Sequence, residues 1–278
     1  MADDKVVRVI VGGAAGRMGR KLIAMVQLTP GIILTGAYEH PDHPDIGKDA
    51  GALAGVDELE VTISNIVGAI QGHMGAYPGD VIIDFTSPEA VPENIKIITE
   101  CERSFPMVIG TTGIAGEALG EVTKLAQKVP VVMAPNMSVG VNVMFKIVGE
   151  MARILGNDYD MELLEVHHRF KKDAPSGTAM KLAQILAEAV GRNLDDVAVY
   201  KRKGLIGERT DEEIGIQTWR AGDIPGEHTV MFGGIGERLE IIHRAHSRDN
   251  FARGALRAAK WVVERPFGLF DMQSVLGI

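Results

Sequence analysis

The stretch Gly13-Ala14-Ala15-Gly16-Arg17-Met18-Gly19 limits the fold more than any other part of the chain, because of what stands on either side of it. Residues 6–11 before it are short, apolar and β-branched, the composition of a strand buried on both faces. Residues 18–28 after it carry apolar side chains at helical spacing. Strand, glycine turn and helix in that order open a βαβ unit. Glycines at the turn let the backbone approach a pyrophosphate, and the helix that follows directs free amides and its positive end at it. The spacing G-x-x-G-x-x-G, in place of G-x-G-x-x-G, is weak evidence alone. Its context is stronger: residues 32–38 form a second β-rich run, and Glu39 ends it about twenty residues past the turn, where a carboxylate accepts hydrogen bonds from ribose hydroxyls. A dinucleotide site built on Gly13, Gly16, Arg17, Met18 and Glu39 is expected. Glu39 favours NADH because it repels a 2′-phosphate, whereas Arg17 and His40 lie near enough in sequence to offset that repulsion for NADPH. Both cofactors stand, and His40 reads either as an exposed loop residue or as a phosphate contact.

Further short apolar runs at residues 81–85, 107–109 and 131–134 are separated by helix-sized segments, the spacing of crossovers in a parallel sheet. The stretch 40–57, rich in Pro, Gly and Asp, reads as loop. The three runs end in Thr86-Ser87-Pro88, Gly110-Thr111-Thr112-Gly113 and Pro135-Asn136-Met137-Ser138, small and polar turns that belong on one crevice at the carboxyl ends of the strands. Thr86 and Glu89 also have the spacing of a helix capping box, and both readings stand. Beyond Pro135 the pattern changes. Residues 139–155 predict a long helix, 161–166 a strand and 176–190 a helix; the runs 217–220, 229–232 and 238–243, separated by Gly/Pro turns, suggest antiparallel strands. Residues 251–263 return to helical periodicity and are expected to pack back on the first domain. The expected class is α/β: a Rossmann-like parallel-sheet domain over 1–137 and 247–278, and a smaller α+β domain with a mixed sheet over 138–246. Few helices remain to cover that second sheet, so a partner subunit is the expected cover.

Composition narrows the partners. With 278 residues, 46% of them hydrophobic, the chain can bury a sizeable core, and a net charge of −8 gives no long-range attraction for nucleic acid or anionic membranes. An anionic ligand needs a local basic pocket. The single cysteine, Cys101, cannot form an intrachain disulfide and reads as an inert helical residue, consistent with the cytoplasm. No run is long and apolar enough to span a bilayer, and the acidic start is unlike a signal peptide.

That basic pocket is suggested by Glu165-Val166-His167-His168-Arg169-Phe170-Lys171-Lys172-Asp173-Ala174-Pro175-Ser176-Gly177-Thr178-Ala179. Two histidines, an arginine and two lysines stand at a strand end, just ahead of a Ser-Gly-Thr helix start with free amides. Such a cluster can bind a carboxylate and supply a proton; a solvated basic turn is the plainer alternative. A metal site is not expected. Adjacent strand residues face opposite ways, and no cysteine or carboxylate cluster completes a ligand set for His167 and His168.

The segment closely resembles the signature of the dihydrodipicolinate reductase family, E-x-H-H-x-x-K-x-D-A-P-S-G-T-A. The likeness extends over nearly the whole chain. It takes in Gly16-Arg17-Met18-Gly19, Asp84-Phe85-Thr86, Gly110-Thr111-Thr112-Gly113, Ser138-Val139-Gly140-Val141-Asn142, Arg220-Ala221-Gly222-Asp223, Gly226-Glu227-His228-Thr229 and Gly268-Leu269-Phe270-Asp271. The resemblance implies reduction of 4-hydroxy-tetrahydrodipicolinate by NADH or NADPH in lysine and diaminopimelate biosynthesis. It implies Lys171 as general acid, His167 as proton donor or electrostatic support, and His168 as a contact to one substrate carboxylate. Ser176, Gly177 and Thr178 would hold the other carboxylate. Phe85, Gly110, Thr112, Ala134, Asn136 and Met137 would line the cofactor beside the glycine turn, with Thr112 also near the substrate. A homotetramer paired through the mixed sheets is implied as well. Because cofactor and acid fall in different expected domains, closure about links near Ser138 and His246 is expected to assemble the site. Ser87 and Met137 depart from the arginine and phenylalanine that some family members carry there.

Overall fold

The apolar run ahead of the glycine turn forms β1 (Val7–Gly12), buried at every residue but Arg8. The computed structural model describes residues 6–71, 79–101, 103 and 105–278. β1 is central to a parallel sheet with β2 (Ile32–Tyr38), β3 (Ile63–Ser64), β4 (Val81–Asp84), β5 (Met107–Ile109) and β6 (Pro130–Met133). The crossovers carry α1 (Arg17–Gln27), α2 (Ala50–Ala54), α3 (Ile66–Gln71), α4 (Ala90–Glu100) and α5 (Gly116–Ala126). Alternate residues of one strand feed different cores: Val9 and Val11 pack in the cluster that holds Leu22 and Ile23 of α1, whereas Ile10 packs in the one holding Ile95 of α4 and Val122 of α5. A strand buried on both faces has no polar alternation, which is why these strands read as short continuous apolar runs.

The second unit begins with α6 (Val139–Leu155) and continues through β7 (Asp160–His167), α7 (Gly177–Ala189), α8 (Leu194–Val197), β8 (Ala198–Val199), β9 (Ile214–Arg220), β10 (Glu227–Gly234) and β11 (Glu237–Arg244). Among the described residues its sheet has the order β11-β10-β7-β9-β8. The sequence suggested antiparallel pairing from residue 214 onward. Instead, β9 runs parallel to β7 and β8, and only β10 is antiparallel, to both β7 and β11. The central strand β7 separates β9 from β10, so the Gly/Pro segment 221–226 links strands that are not neighbours. One sheet face is covered by α6 and α7, through Val141, Phe145, Leu182 and Leu186 against Leu163, Ile216, Val230 and Phe232.

The chain then returns to the first unit with α9 (Asp249–Val262), β12 (Gly268–Phe270) and α10 (Met272–Leu276). Ala252, Ala255, Leu256 and Ala259 of α9 share the core of α1, and β12 adds to β6 in parallel as the outermost strand. The two compact units are Met1–Val139 with Arg248–Gly277, and Gly140–Ser247 with Ile278.

Two local expectations are corrected. The loop-like stretch 40–57 contains α2, capped by the Asp49 carboxylate, which accepts from the Ala52 amide at 2.9 Å. Thr86 does not cap α4, because its hydroxyl donates to Asp84 at 2.7 Å; Ser87 stands nearer the helix, with Oγ 3.3 Å from the Ala90 amide.

Candidate active site

In the first unit the glycine turn is fixed by steric limits. Gly13 has φ +70°, and a β-carbon there would stand 2.7 Å from the Phe85 carbonyl oxygen. A β-carbon on Gly19 would stand 2.1 Å from the Gly13 oxygen, so turn and helix pack as closely as backbone permits. At the start of α1, Gly16 makes no side-chain cap and the first turn holds no acidic residue. Amides left uncapped at the positive end of a helix suit a pyrophosphate. The Glu39 carboxylate, just past β2, accepts from the Ala15 amide at 3.1 Å and from the His40 amide at 3.1 Å, which places it beside the turn. These features fit a nicotinamide dinucleotide.

Buried Asp84 ties the neighbouring strand ends together. It accepts from Tyr38 Oη at 2.7 Å, Thr111 Oγ1 at 3.1 Å, Asn94 Nδ2 at 3.1 Å, and both the amide and hydroxyl of Thr86. Burial, then the Asp84 charge and hydrogen bond, push the Tyr38 hydroxyl well above its ordinary pKa. The Phe85 ring lies on Gly110, where a β-carbon would be 2.1 Å from it. Arg17 and Thr112 are exposed and Met18 is half-buried. His40 is exposed, and its Nδ1 accepts from the Asp42 amide at 3.3 Å. Asn136 Oδ1 accepts from the Ser138 amide at 2.8 Å. Ala134 is buried, and Met137, only 2% exposed, packs in the core with its carbonyl against Gly254. The Met137 side chain therefore supports its turn from beneath.

In the second unit the register of the sheet aligns a polar row. Thr218, Glu165, His228 and His243 lie directly opposite one another across β9, β7, β10 and β11. One row further along, His167 lies opposite Arg220. Rows nearer the other end of the same face, such as Ile216, Leu163, Val230 and Ile241, are apolar and meet the helices. The helix-covered face thus changes from a hydrophobic core to a charged network along its length.

Glu165, fully buried, is the hub of that network. Its Oε2 is 2.5 Å from His167 Nδ1 and accepts from Arg220 at 2.9 Å; its Oε1 accepts from Arg220 at 2.8 Å, the Ser176 amide at 3.0 Å and Thr218 Oγ1 at 3.3 Å. Burial opposes its ionisation, but the hydrogen bonds and electrostatic pull of His167 and Arg220 prevail and bring its pKa down to about 2. Ser176 caps α7, accepting from the Ala179 amide at 3.2 Å, and its Oγ lies 3.2 Å from His228 Nε2. Burial first, and the neighbouring His167 second, lower the His228 pKa to about 3, so this ring is neutral at pH 7. Its edge meets the His167 ring at a centroid distance of 5.3 Å. Lys171 Nζ pairs with Asp173 Oδ1 at 2.9 Å; burial works against the Asp173 carboxylate, but the Lys171 hydrogen bond holds its pKa below the usual range. Gly177 is exposed, and Thr178 and His168 are half-buried.

The sequence matches the description "Dihydrodipicolinate reductase, N-terminus" over residues 7–137 and "Dihydrodipicolinate reductase, C-terminus" over residues 140–276. The chain belongs to the dihydrodipicolinate reductase family. It is 57% identical over 272 residues to the 4-hydroxy-tetrahydrodipicolinate reductase of Syntrophus aciditrophicus (strain SB), covering 98% of each chain. With the enzyme of that name from Syntrophobacter fumaroxidans it shares 52% identity over 98% of this chain and 99% of the relative. Among solved structures, the dipicolinate-bound dihydrodipicolinate reductase from Paenisporosarcina sp. TG-14 superposes with a TM-score of 0.72 at 27% identity, covering 96% of this chain and 97% of that one. The family member described here is thus an oxidoreductase with a nucleotide-binding Rossmann domain.

Within each unit, the residues singled out from sequence gather at one place. Gly13, Gly16, Arg17, Met18, Glu39, Phe85, Gly110, Thr112, Ala134, Asn136 and Met137 all lie at the carboxyl ends of the parallel strands or in the turns that follow. His167, His168, Lys171, Ser176, Gly177 and Thr178 occupy the corner between β7 and α7. Sequence reasoning assigned no role to Glu165, Asp173, Arg220, His228 or Asp84. A signal existed for His228, which alternates with Val230 and Phe232 and therefore faces inward.

Proposed function

We propose that the enzyme reduces 4-hydroxy-tetrahydrodipicolinate to tetrahydrodipicolinate with loss of water, using NADH or NADPH, in lysine and diaminopimelate biosynthesis. The observation that carries this reading is the β7–α7 corner of a family member. There an imidazole and an anion-binding helix start meet at the buried carboxylate of Glu165, and the general-acid candidate Lys171 pairs with Asp173 in the turn between them. The bound cofactor supplies a hydride. Ser176, Gly177 and Thr178 hold one ring carboxylate at the N-terminus of α7, through groups other than the Ser176 amide, which Glu165 engages, and His168 contacts the other. The Lys171 ammonium delivers the proton that meets the electron density built up on the ring, with His167 beside it. Hydride and proton donors then belong to different units.

Glu39 takes the ribose hydroxyls, which supports NADH, while Arg17 and His40 stay near enough in sequence to tolerate a 2′-phosphate. A cytoplasmic homotetramer completes the proposal. Its support is the sheet face opposite α6 and α7, on which Trp219 is 61% exposed and Ile242 41%, with Leu164 and Met231 half-buried between them. Among the described residues, no helix is long and apolar enough to cross a membrane.

The deciding experiment measures kcat/KM for NADH and for NADPH with freshly generated 4-hydroxy-tetrahydrodipicolinate. Substrate-dependent oxidation is expected with both cofactors, the higher value with NADH. A folded protein that binds cofactor yet shows no turnover would remove the assignment.

A further inference from the structure

We propose that Glu165 and Arg220 are positioning residues that hold the His167 imidazole, the turn carrying Lys171 and the start of α7 in one fixed arrangement for proton delivery. This rests on the reductase reading above. Glu165 is ionised at pH 7, and a carboxylate can only accept hydrogen bonds. Nδ1 of His167 must therefore carry the proton of the 2.5 Å bond, which leaves Nε2 as the nitrogen with the open role. Nε2 faces Gly226, where φ is +154° and a β-carbon would come within 2.9 Å, so any side chain at 226 would crowd the ring.

Arg220 binds both oxygens of Glu165 and also donates to the Asp173 carbonyl at 2.7 Å. Asp173 in turn holds Lys171 through its carboxylate at 2.9 Å. The same Glu165 accepts from the Ser176 amide at 3.0 Å, fixing the residue that caps α7. One carboxylate and one guanidinium, from neighbouring strands 55 residues apart in sequence, thereby set the relative places of three groups the reaction needs. A planar fork is required for this: a lysine could reach the carboxylate or the carbonyl but could not span both. His167 is also faced by Arg220 on β9, the neutral His228 on β10 and the backbone at Gly226. The Glu165 oxygen occupies Nδ1, and Arg220, a cation with donors alone, cannot take its place there.

Histidine-selective 15N spectra of the full chain, taken where the His167 ring is neutral, should show it protonated at Nδ1. An Nε2–H tautomer in the wild type overturns the proposal whatever the variants do. Glu165→Gln and Arg220→Lys are expected to lower kcat about 10²-fold, the scale of a small misplacement of reacting groups. NADH affinity should stay within about twofold, because the cofactor site lies in the other unit, and dipicolinate, used as a flat dicarboxylate probe, should bind roughly tenfold more weakly as the α7 start loses its tie. A merely structural role would lower the melting temperature and leave kcat of the folded fraction unchanged. Either variant, folded, with kcat within about threefold of wild type would overturn the proposal. Should Glu165→Gln not fold, Arg220→Lys, which keeps a cation beside the buried carboxylate, and the wild-type spectrum decide. A wild type that binds NADH and dipicolinate without turnover would sink the reductase reading alone, since tautomer and dipicolinate affinity would still report on the pair.

Discussion

In the proposed reaction the two units meet anionic ligands by opposite means. In the first, the turn after β1 works through the absence of side chains: glycines at 13 and 19 bring backbone to within reach of backbone, and no charged group caps the helix. In the second, the corner between β7 and α7 works through side chains, with a buried carboxylate, a guanidinium and two imidazoles interlocked. The first arrangement is sensitive to one added carbon and the second to one removed charge. Phosphate binding needs only oriented amides, whereas proton delivery needs a titratable group held at one place.

The largest effect that tests this contrast is on chemistry. Lys171→Ala should lower kcat by about 10² to 10⁴-fold while leaving NADH affinity unchanged, as expected for loss of a general acid. Steady-state kinetics with unaltered kcat would remove Lys171 from proton transfer and weaken the division of labour between the units.

The next effect is on stability, and it splits the units by pH. His228 takes up a proton near 6.5 when unfolded but only at about 3 when folded, so the unfolded chain binds more protons across that window and stability falls as pH drops through it. The loss reaches roughly 4–5 kcal/mol once both states are protonated. Glu165 titrates at about 2 in the fold against an ordinary 4.5, so its contribution, present above 4.5, is lost as pH falls from there toward 2. In the first unit, Tyr38 has its pKa raised, so its contribution is complete below pH 10 and lost as pH rises through the folded value. Trp219 stands on β9 and Trp261 on α9, one reporter per unit. In acid titrations of Trp261→Phe and Trp219→Phe, fluorescence of the remaining Trp219 should change at higher pH than that of the remaining Trp261. The reverse order would contradict this account of the buried polar row.

The smallest effect sharpens the first half of the comparison. Gly19→Ala puts a methyl group 2.1 Å from the Gly13 oxygen, and the backbone shift it forces should cost about 1–3 kcal/mol. Calorimetry should show weaker NADH binding with dipicolinate binding intact; loss of both together would mean that the two sites are not separable.

How much could be read from sequence follows the same division. Strand β5 was legible to the residue because burial on both faces leaves no polar interruption, β2 because its β-rich run stops at the charged Glu39, and α6 because its apolar stripe persists over 17 residues. β12 was not, since three residues carry no periodicity and its pairing with β6 is long-range. The parallel pairing of β9 with β7 is likewise set by packing beneath α6 and α7 and not by the turns beside it. At the β7–α7 corner, His167, Lys171 and Ser176 stood together in one segment. Their support did not: Arg220 lies 55 residues from Glu165, and only the register of the sheet brings the two together.

The return of α9 and β12 to the first unit has a consequence for biosynthesis. While the ribosome is still translating the second unit, β6 is an open edge, and the core that α9 completes holds α1 and α2 without Ala252, Ala255, Leu256 and Ala259. The nucleotide-binding unit therefore completes its core and sheet only after α9 and β12 have been made. The inserted unit, whose strands and helices are contiguous in the message, can consolidate first, and the exposed edge of β6 is the place where a nascent or truncated chain would be prone to aggregate.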